Sequence, residues 1–350
     1  MTSTVARVVC NIKRPFRSRL NTTCDNQGDC TLRRLYHKER VFVMIDLMLL
    51  GTGAMVPLPG RYLSATMFRI GSHLHLIDCG EGTQVAMREF GWGFKRLDTI
   101  LISHFHADHI AGLPGLMHTL AHSGKTDPLH IYGPEGLYQV VSGLFVIVGG
   151  LPFEVFIHEV SQDDTGELPG GAMLTVAEGK HRGRVLTYRV DVARSPAFLP
   201  EKAEKLGVPR KLWSALQRGE SVEHNGVMVV PQQVLSEPRP GVSFGFATDT
   251  RPTESIVQLM QGVDLLIAEG TYGDDADVAK AEERGHMTFR ESATLAKDCG
   301  AGALWITHFG AGMTEPSEFS HNATEVFPNT TLGRSGLTGT VSFDTGYSPS

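Results

Sequence analysis

The sequence predicts a layered α/β fold, and three observations carry that expectation. Strand-sized apolar runs alternate with helical stretches along most of the chain. Those runs repeatedly end in an ionisable or polar residue before the next helix begins. One of them, Ile100-Leu101-Ile102, leads through Ser103 into His104-Phe105-His106-Ala107-Asp108-His109. In layered α/β proteins the groups at neighbouring strand ends share one rim, where ligands bind.

Composition sets the outer limits. The chain has 350 residues, enough for one large domain or two modest ones. A content of 41% hydrophobic and 20% charged residues belongs to a folded soluble chain rather than a disordered one. No apolar run approaches the roughly 20 residues of a membrane span; the best, Val41 to Leu50, is broken by Asp46. The net charge is -6 although residues 1–43 are rich in Lys and Arg, so the remainder is more acidic still. Nucleic-acid contact would have to come from local basic patches. The cysteines show neither zinc-ribbon spacing nor a disulfide framework, which points to a reducing, cytoplasmic setting. Residues 1–43 lack the apolar core of a secretory signal. They read either as upstream codons of a chain that starts at Met44 or as a disordered extension; the Arg-rich, acid-free run before Asp25 also has the make-up of a mitochondrial transit peptide.

A single catalytic domain is expected over 44–350. It opens with a strand, Ile45 to Leu50, and Gly51-Thr52-Gly53, a turn where backbone can approach a ligand closely. Ser64 to Ile70 and His73 to Asp78 read as a hairpin, with His73 and His75 on what is expected to be a polar strand face. Gln84 to Phe90 is a short helix, Asp98 to Ser103 a strand, and Ile110 to His122 a helix. A strand at Leu129 to Tyr132 and a helix from Pro134 to about Val148 follow. Strands are expected at Glu154 to Val160, Met173 to Glu178 and Arg184 to Val190, with His181 just ahead of the last. Residues 194–220 break the rhythm: Pro196, Pro200 and Pro209 punctuate two short helices with six Lys/Arg against three Asp/Glu. This stretch is expected to project as an arm. Val242 to Ala247 is a strand ending at Thr248-Asp249-Thr250, followed by a helix from Thr253 to Gln261. Val263 to Ala268 is a strand ending at Glu269, and Thr288 with Glu291 forms a capping box for the next helix. Ala303 to Thr307 is a strand ending at His308.

The ionisable groups at these strand ends suggest metal chemistry. Residues two apart on an extended chain project the same way, so His104 and His106 face together, with Asp108 and His109 close behind. Imidazole and carboxylate without thiolate suit zinc or a similar divalent ion. Asp249, His308 and His181 also stand at strand termini. Seven candidates exceed the needs of one tetrahedral ion but fit two that share a carboxylate. His104, His106, His181 and Asp249 would hold the first; Asp108, His109, Asp249 and His308 would hold the second. Two ions roughly 4 Å apart activate water at neutral pH and stabilise both oxygens of a phosphoryl displacement.

At this point the sequence resembles the metallo-β-lactamase superfamily and, within it, the short form of the ribonuclease Z (tRNase Z) family. The likeness runs from about Ile45 to Asp344. It rests on Leu50-Gly51-Thr52-Gly53-Ala54 with Arg61 and Ser64, on Ile77-Asp78-Cys79-Gly80-Glu81-Gly82-Thr83-Gln84, and on the histidine loop. Gly179-Lys180-His181, Thr248-Asp249-Thr250, Ala268-Glu269-Gly270-Thr271, His286, Thr307-His308-Phe309 and Phe327-Pro328-Asn329-Thr330 complete it. The histidine loop marks the superfamily; the glycine-rich opening and the Glu269/His286 pair mark the ribonuclease branch. Departures are Ala268 where His is common, Gly310-Ala311-Gly312 after Phe309, and Val208-Pro209 near the arm tip in place of a Gly-Pro pair.

The resemblance implies an αββα sandwich with a projecting arm insertion, two zinc ions (Zn2+) per subunit, a homodimer, and endonucleolytic removal of the 3′ trailer from precursor tRNA; the lack of a long apolar run adds the expectation of no membrane partner. It implies that Asp108 accepts the proton of the attacking water. His286, positioned by Glu269, would serve the departing 3′ oxygen. Water attack leaves a 3′ hydroxyl on the tRNA and a 5′ phosphate on the trailer. In the arm, Lys202, Lys205, Arg210, Lys211 and Arg218 are candidate phosphate contacts, and Arg61 and Ser64 are further substrate-binding candidates. Two other readings stand beside this one. Another hydrolase on the same sandwich, a small-molecule phosphodiesterase, arylsulfatase or lactonase, has no use for a basic arm. A non-catalytic zinc or RNA-binding protein has no need of the intact ligand set with Asp108 and His286.

Overall fold

The computed structural model describes residues 44–349 and, of the chain before them, the backbone of three short strands, Val8–Cys10, Thr22–Cys24 and Cys30–Leu32. The extension expected over residues 1–43 otherwise lies outside the described residues. Contacts divide the chain into two compact units, the second built on Ala193–Gly241.

The first unit contains two sheets. One runs, in spatial order, Val8–Cys10, Val155–Glu159, Leu129–Gly133, Leu97–Leu101, His73–Ile77, Ala65–Ile70, Met44–Gly51, Leu337–Ser342 and Gly346–Pro349. Its strands are parallel from the first edge to His73–Ile77 and antiparallel beyond. The other runs Thr165–Leu168, Ala172–Glu178, Leu186–Arg194, Arg239–Ala247, Leu265–Glu269, Leu304–Thr307 and Thr330–Leu332, with its last four strands parallel.

Alternation along the strands builds the layers. Ile45, Leu47 and Leu49 pack with Phe68, Val176, Tyr188, Phe244, Ile267 and Trp305 in a core between the sheets. Met48 and Leu50 point the other way and join Met67, Leu76 and Ile100 under the helices Leu113–His122 and Leu137–Phe145. Leu266, Ala268, Leu304 and Ile306 do the same beneath Glu254–Leu259 and Phe289–Asp298. The result is helix, sheet, sheet, helix. Strands covered on both faces read as nearly continuous apolar runs, which is why the sequence showed them so plainly.

The second unit carries the two short helices expected for the arm, Pro200–Lys205 and Arg210–Gln217, and a hairpin, Val222–His224 with Val227–Val229. Ala203, Val208, Leu216, Val222, Val229 and Val234 form its small core, flanked by Phe198 and Trp213. The Trp213 indole donates to the Val208 carbonyl at 2.8 Å.

Several sequence expectations need correction. The helix expected over Ile110 to His122 is two pieces, Ala107–Ile110 and Leu113–His122. The break falls at Gly112, whose amide donates to Cys79 at 2.8 Å and where any side chain would clash with the Gly80 backbone. Gly51 serves the chain itself: a side chain there would strike the Leu63 backbone. The strand expected at Arg184 to Val190 is Leu186–Arg194, and the helix expected to reach Val148 ends at Phe145. Among the described residues no helix is long and apolar enough to cross a membrane.

The expected polar face at His73 and His75 is corrected most sharply. His73 is partly exposed and bonded to Asp98 at 2.7 Å, but His75 is fully buried and stacked on Phe68 at 4.6 Å. Its strand lies inside the sheet with the second sheet over it, so that face meets no water. Neither ring nitrogen finds a hydrogen-bond partner at bonding geometry. Burial, aided by nearby His73, pushes its pKa down from 6.5 to about 3, and only the Pro169 backbone opposes this. The unfolded chain therefore binds a proton that the folded chain refuses, and stability falls as pH drops from 6.5 towards 3, by about 1.4 kcal/mol per unit. His75→Leu is expected to remove this dependence: between pH 6.5 and pH 5 it should lose about 2 kcal/mol less than the unsubstituted chain in denaturant titrations.

Candidate metal centre and active site

The strands end at a common rim because their registers are level. Ala247, Ala268 and Ile306 are consecutive cross-strand partners, so Asp249, Glu269 and His308 emerge side by side. In the other sheet Ile77 pairs Leu101, so Asp78 and the histidine loop emerge together. Asp78, Asp249 and His308 each take a left-handed backbone conformation (φ 60, 49 and 57°) within two residues of a strand end. That turn stops the strand and aims the side chain into the rim.

The rim gathers all seven expected ligands. His104, His106, His181 and Asp249 form one group, and Asp108, His109 and His308 a second. His104 Nε2 lies 2.9 Å from His106 Nδ1, and His181 Nε2 is 3.4 Å from that same atom. His109 Nε2 is 3.1 Å from His308 Nε2, which is 3.4 Å from Asp108 Oδ2. Asp249 stands between the groups: its Oδ2 is 3.6 Å from His104 Nε2, and its Oδ1 is 3.3 Å from His109 Nε2 and 3.1 Å from His308 Nε2. Ligands of a tetrahedral zinc with bonds of about 2.0–2.1 Å sit roughly 3.3 Å apart. The donor atoms fit such an ion in each group, with Asp249 offering one oxygen to each.

Partners outside the ligand groups fix the ring orientations. His109 Nδ1 donates to Asp78 Oδ2 at 2.7 Å, and Asp78 also accepts the amide and hydroxyl of Ser103 at 2.8 and 2.9 Å. His181 Nδ1 donates to the Gly285 carbonyl at 3.0 Å. The Met55 amide donates to Asp108 Oδ2 at 2.7 Å. Burial favours the neutral acid at Asp108, but the hydrogen bond to His308 and the charges of His109 and His308 outweigh it and hold the carboxyl well below its ordinary range. At Asp249 burial is likewise overcome, by His308, His109 and His104. Burial works against a charge on His109, yet Asp249 and Asp78 raise it well above the ordinary histidine value.

Glu269 is fully buried and accepts from His286 Nδ1 at 3.0 Å, from the Thr250 amide at 2.6 Å and from the Thr271 hydroxyl at 2.6 Å. Burial disfavours the His286 cation, but Glu269 and then Asp249 raise its pKa above the ordinary value. His286 Nδ1 lies 4.0 Å from Asp249 Oδ2, at the edge of the ligand groups. Arg251 donates to the His286 carbonyl at 2.6 Å and pairs with Glu291, fixing the loop that carries the imidazole.

The remaining candidates are placed as follows. Arg61 donates to the carbonyls of Met313 and Thr314 at 2.7 and 2.9 Å, and Ser64 is buried with its hydroxyl 3.5 Å from Asp78. Both therefore have their polar atoms engaged within the chain. Lys202, Lys205, Arg210 and Lys211 are exposed on the second unit's helices; Arg218 is half-buried beside Glu220. Sequence reasoning missed Asp78, Ser103 and Arg251 as supports of the site. Asp78 did carry a signal, an acid directly after an apolar strand, like Asp249. An open cavity of about 300 Å³ adjoins His104, His106 and His181, walled by Phe105, Glu135, Gly183 and Arg184.

Comparison with known proteins agrees with this geometry. A β-lactamase superfamily domain model matches residues 214–309, and a model described as anti-Pycsar protein Apyc1 matches residues 45–142. A ribonuclease Z of Clostridium botulinum is 43% identical over 313 residues, covering 86% of this chain and 99% of that relative. The chain belongs to the ribonuclease Z family. The crystal structure of human tRNase Z, short form, matches this family member with a TM-score of 0.61 and 26% identity, over 84% of this chain and 98% of that one. The metallo-β-lactamase fold protein YhfI from Bacillus subtilis matches with a TM-score of 0.62 at 19% identity, over 85% and 99%, a likeness of fold. The αββα arrangement is thus the metallo-β-lactamase fold.

Asp78→Asn removes the charge that holds the His109 ring. It is expected to weaken metal binding about 10- to 100-fold, read by competition with a chromogenic chelator, while far-ultraviolet circular dichroism stays unchanged.

Proposed function

We propose that this ribonuclease Z family member is a zinc-dependent endoribonuclease that removes the 3′ trailer from precursor tRNA in the cytoplasm, acting as a homodimer. The observation that carries the reading is the Asp249 carboxylate, which turns one oxygen to each ligand group beside the Glu269–His286 pair. Two zinc ions held there would supply Lewis acidity towards the phosphoryl oxygens and a nucleophile at neutral pH.

The chain's own groups do the rest. Asp108, kept ionised by its histidine neighbours and the Met55 amide, accepts the proton of the attacking water. Glu269 holds His286 at Nδ1, which leaves Nε2 to give a proton to the departing 3′ oxygen. Without that proton an alkoxide leaves poorly. The products are then a 3′ hydroxyl on the tRNA and a 5′ phosphate on the trailer. Lys202, Lys205, Arg210, Lys211 and Arg218 bind backbone phosphates, which positions RNA without reading its sequence.

Incubation with an end-labelled precursor tRNA tests the chemistry: cleavage should stop on chelation and return with zinc, and a 2′,3′-cyclic phosphate product would overturn the mechanism. Asp108→Ala and His286→Ala are each expected to lower kcat by at least about 100-fold with the fold retained. Deleting residues 194–220 should abolish precursor cleavage yet spare hydrolysis of bis(p-nitrophenyl) phosphate. Equal loss of both, or full retention of precursor cleavage, would count against the RNA-docking role, whereas a full chain that hydrolyses bis(p-nitrophenyl) phosphate but leaves precursor tRNA uncut would favour a small-molecule hydrolase.

A further inference from the structure

Between the ligand His308 and the Glu269–His286 pair stands one hydroxyl. Thr271 Oγ1 lies 3.1 Å from His308 Nδ1, 2.6 Å from Glu269 Oε2 and 3.2 Å from His286 Nδ1. The residue is buried, so these groups rather than water satisfy it. Hydrogen-bond bookkeeping leaves one arrangement. An ionised Glu269 can only accept, so the Thr271 proton points at Oε2. The hydroxyl oxygen then has lone pairs for the N–H of His308 Nδ1. With its proton on Nδ1, His308 presents a bare Nε2 lone pair to the pocket where Asp108, His109 and Asp249 converge.

We propose that Thr271 is a positioning residue that serves both halves of the centre at once, holding His308 in its metal-binding tautomer and Glu269 against His286. This rests on the metal-dependent reading above and extends it. Glu269 in turn takes the Thr250 amide, one residue after Asp249, so the hydroxyl also reaches the loop of the carboxylate shared by the two groups. A metal ligand lacking an acceptor at its second nitrogen is free to place its proton at the wrong nitrogen, and such supports are worth about 10- to 100-fold in affinity.

Thr271→Val keeps the branched shape and removes the hydroxyl; Thr271→Ser keeps the hydroxyl and removes a methyl. Zinc affinity and stoichiometry, measured by chelator competition on the full chain without substrate, separate this proposal from the question of what RNA is cut. Thr271→Val is expected to weaken zinc binding at the group that contains His308 about 10- to 100-fold. It should lower kcat for precursor cleavage while leaving KM within a few-fold, and Thr271→Ser should restore both zinc affinity and kcat. Unchanged zinc affinity in Thr271→Val, or failure of Thr271→Ser to recover it in a folded protein, overturns the proposal.

Discussion

Charge balance at a buried rim governs this structure. Asp78, Asp108, Asp249 and Glu269 are each less than one-tenth exposed, and they converge with six imidazoles. A carboxylate taken out of water is very costly unless paired and hydrogen-bonded. Asp78 is served by Ser103 and His109, and Glu269 by Thr250, Thr271 and His286. Asp108 and Asp249 are left facing the ligand pocket. Divalent metal held there would carry the positive charge that the carboxylates call for, with the imidazoles neutral as ligands. Asp249 and Asp78 raise the pKa of His109, and Glu269 that of His286, so the carboxylates favour positive charge on their neighbours. A metal ion bound there would couple the stability of the rim to its chemistry.

Backbone strain is concentrated where that balance is struck. Among the described residues six non-glycine positions have positive φ, and four of them, Met55, Asp78, Asp249 and His308, lie at the site. Left-handed conformations cost of order 1–2 kcal/mol for ordinary side chains, and they persist where surrounding contacts over-determine them. Met55 gives its amide to Asp108, and the backbone after His308 is held by Thr52, through the Phe309 amide at 2.8 Å. The glycine-rich opening at Gly51-Thr52-Gly53 thus works at one remove: it lets the chain come close enough to brace the His308 turn.

The two units differ in how they are built. The sandwich buries its strands on both faces, so its rim is set by register and little free to adjust. The second unit has a core of a few small aliphatic side chains, and its basic residues sit mainly on exposed helix surfaces. Rigid placement suits groups that must meet at bonding distance.

The sequence by itself determined the layered fold, the histidine loop as a candidate metal site, and the seven ligand candidates that the structure brings together. These depend on local periodicity and on residue types whose chemistry is intrinsic. Only the tertiary structure decided that His75 belongs to the core and not to a polar face, because alternation marks two faces without saying what covers them. It also decided which oxygen of Asp249 faces which group, and that Asp78, Thr271 and Arg251 brace the rings. Those facts depend on strand register and on contacts between segments far apart in the chain, which no local pattern encodes.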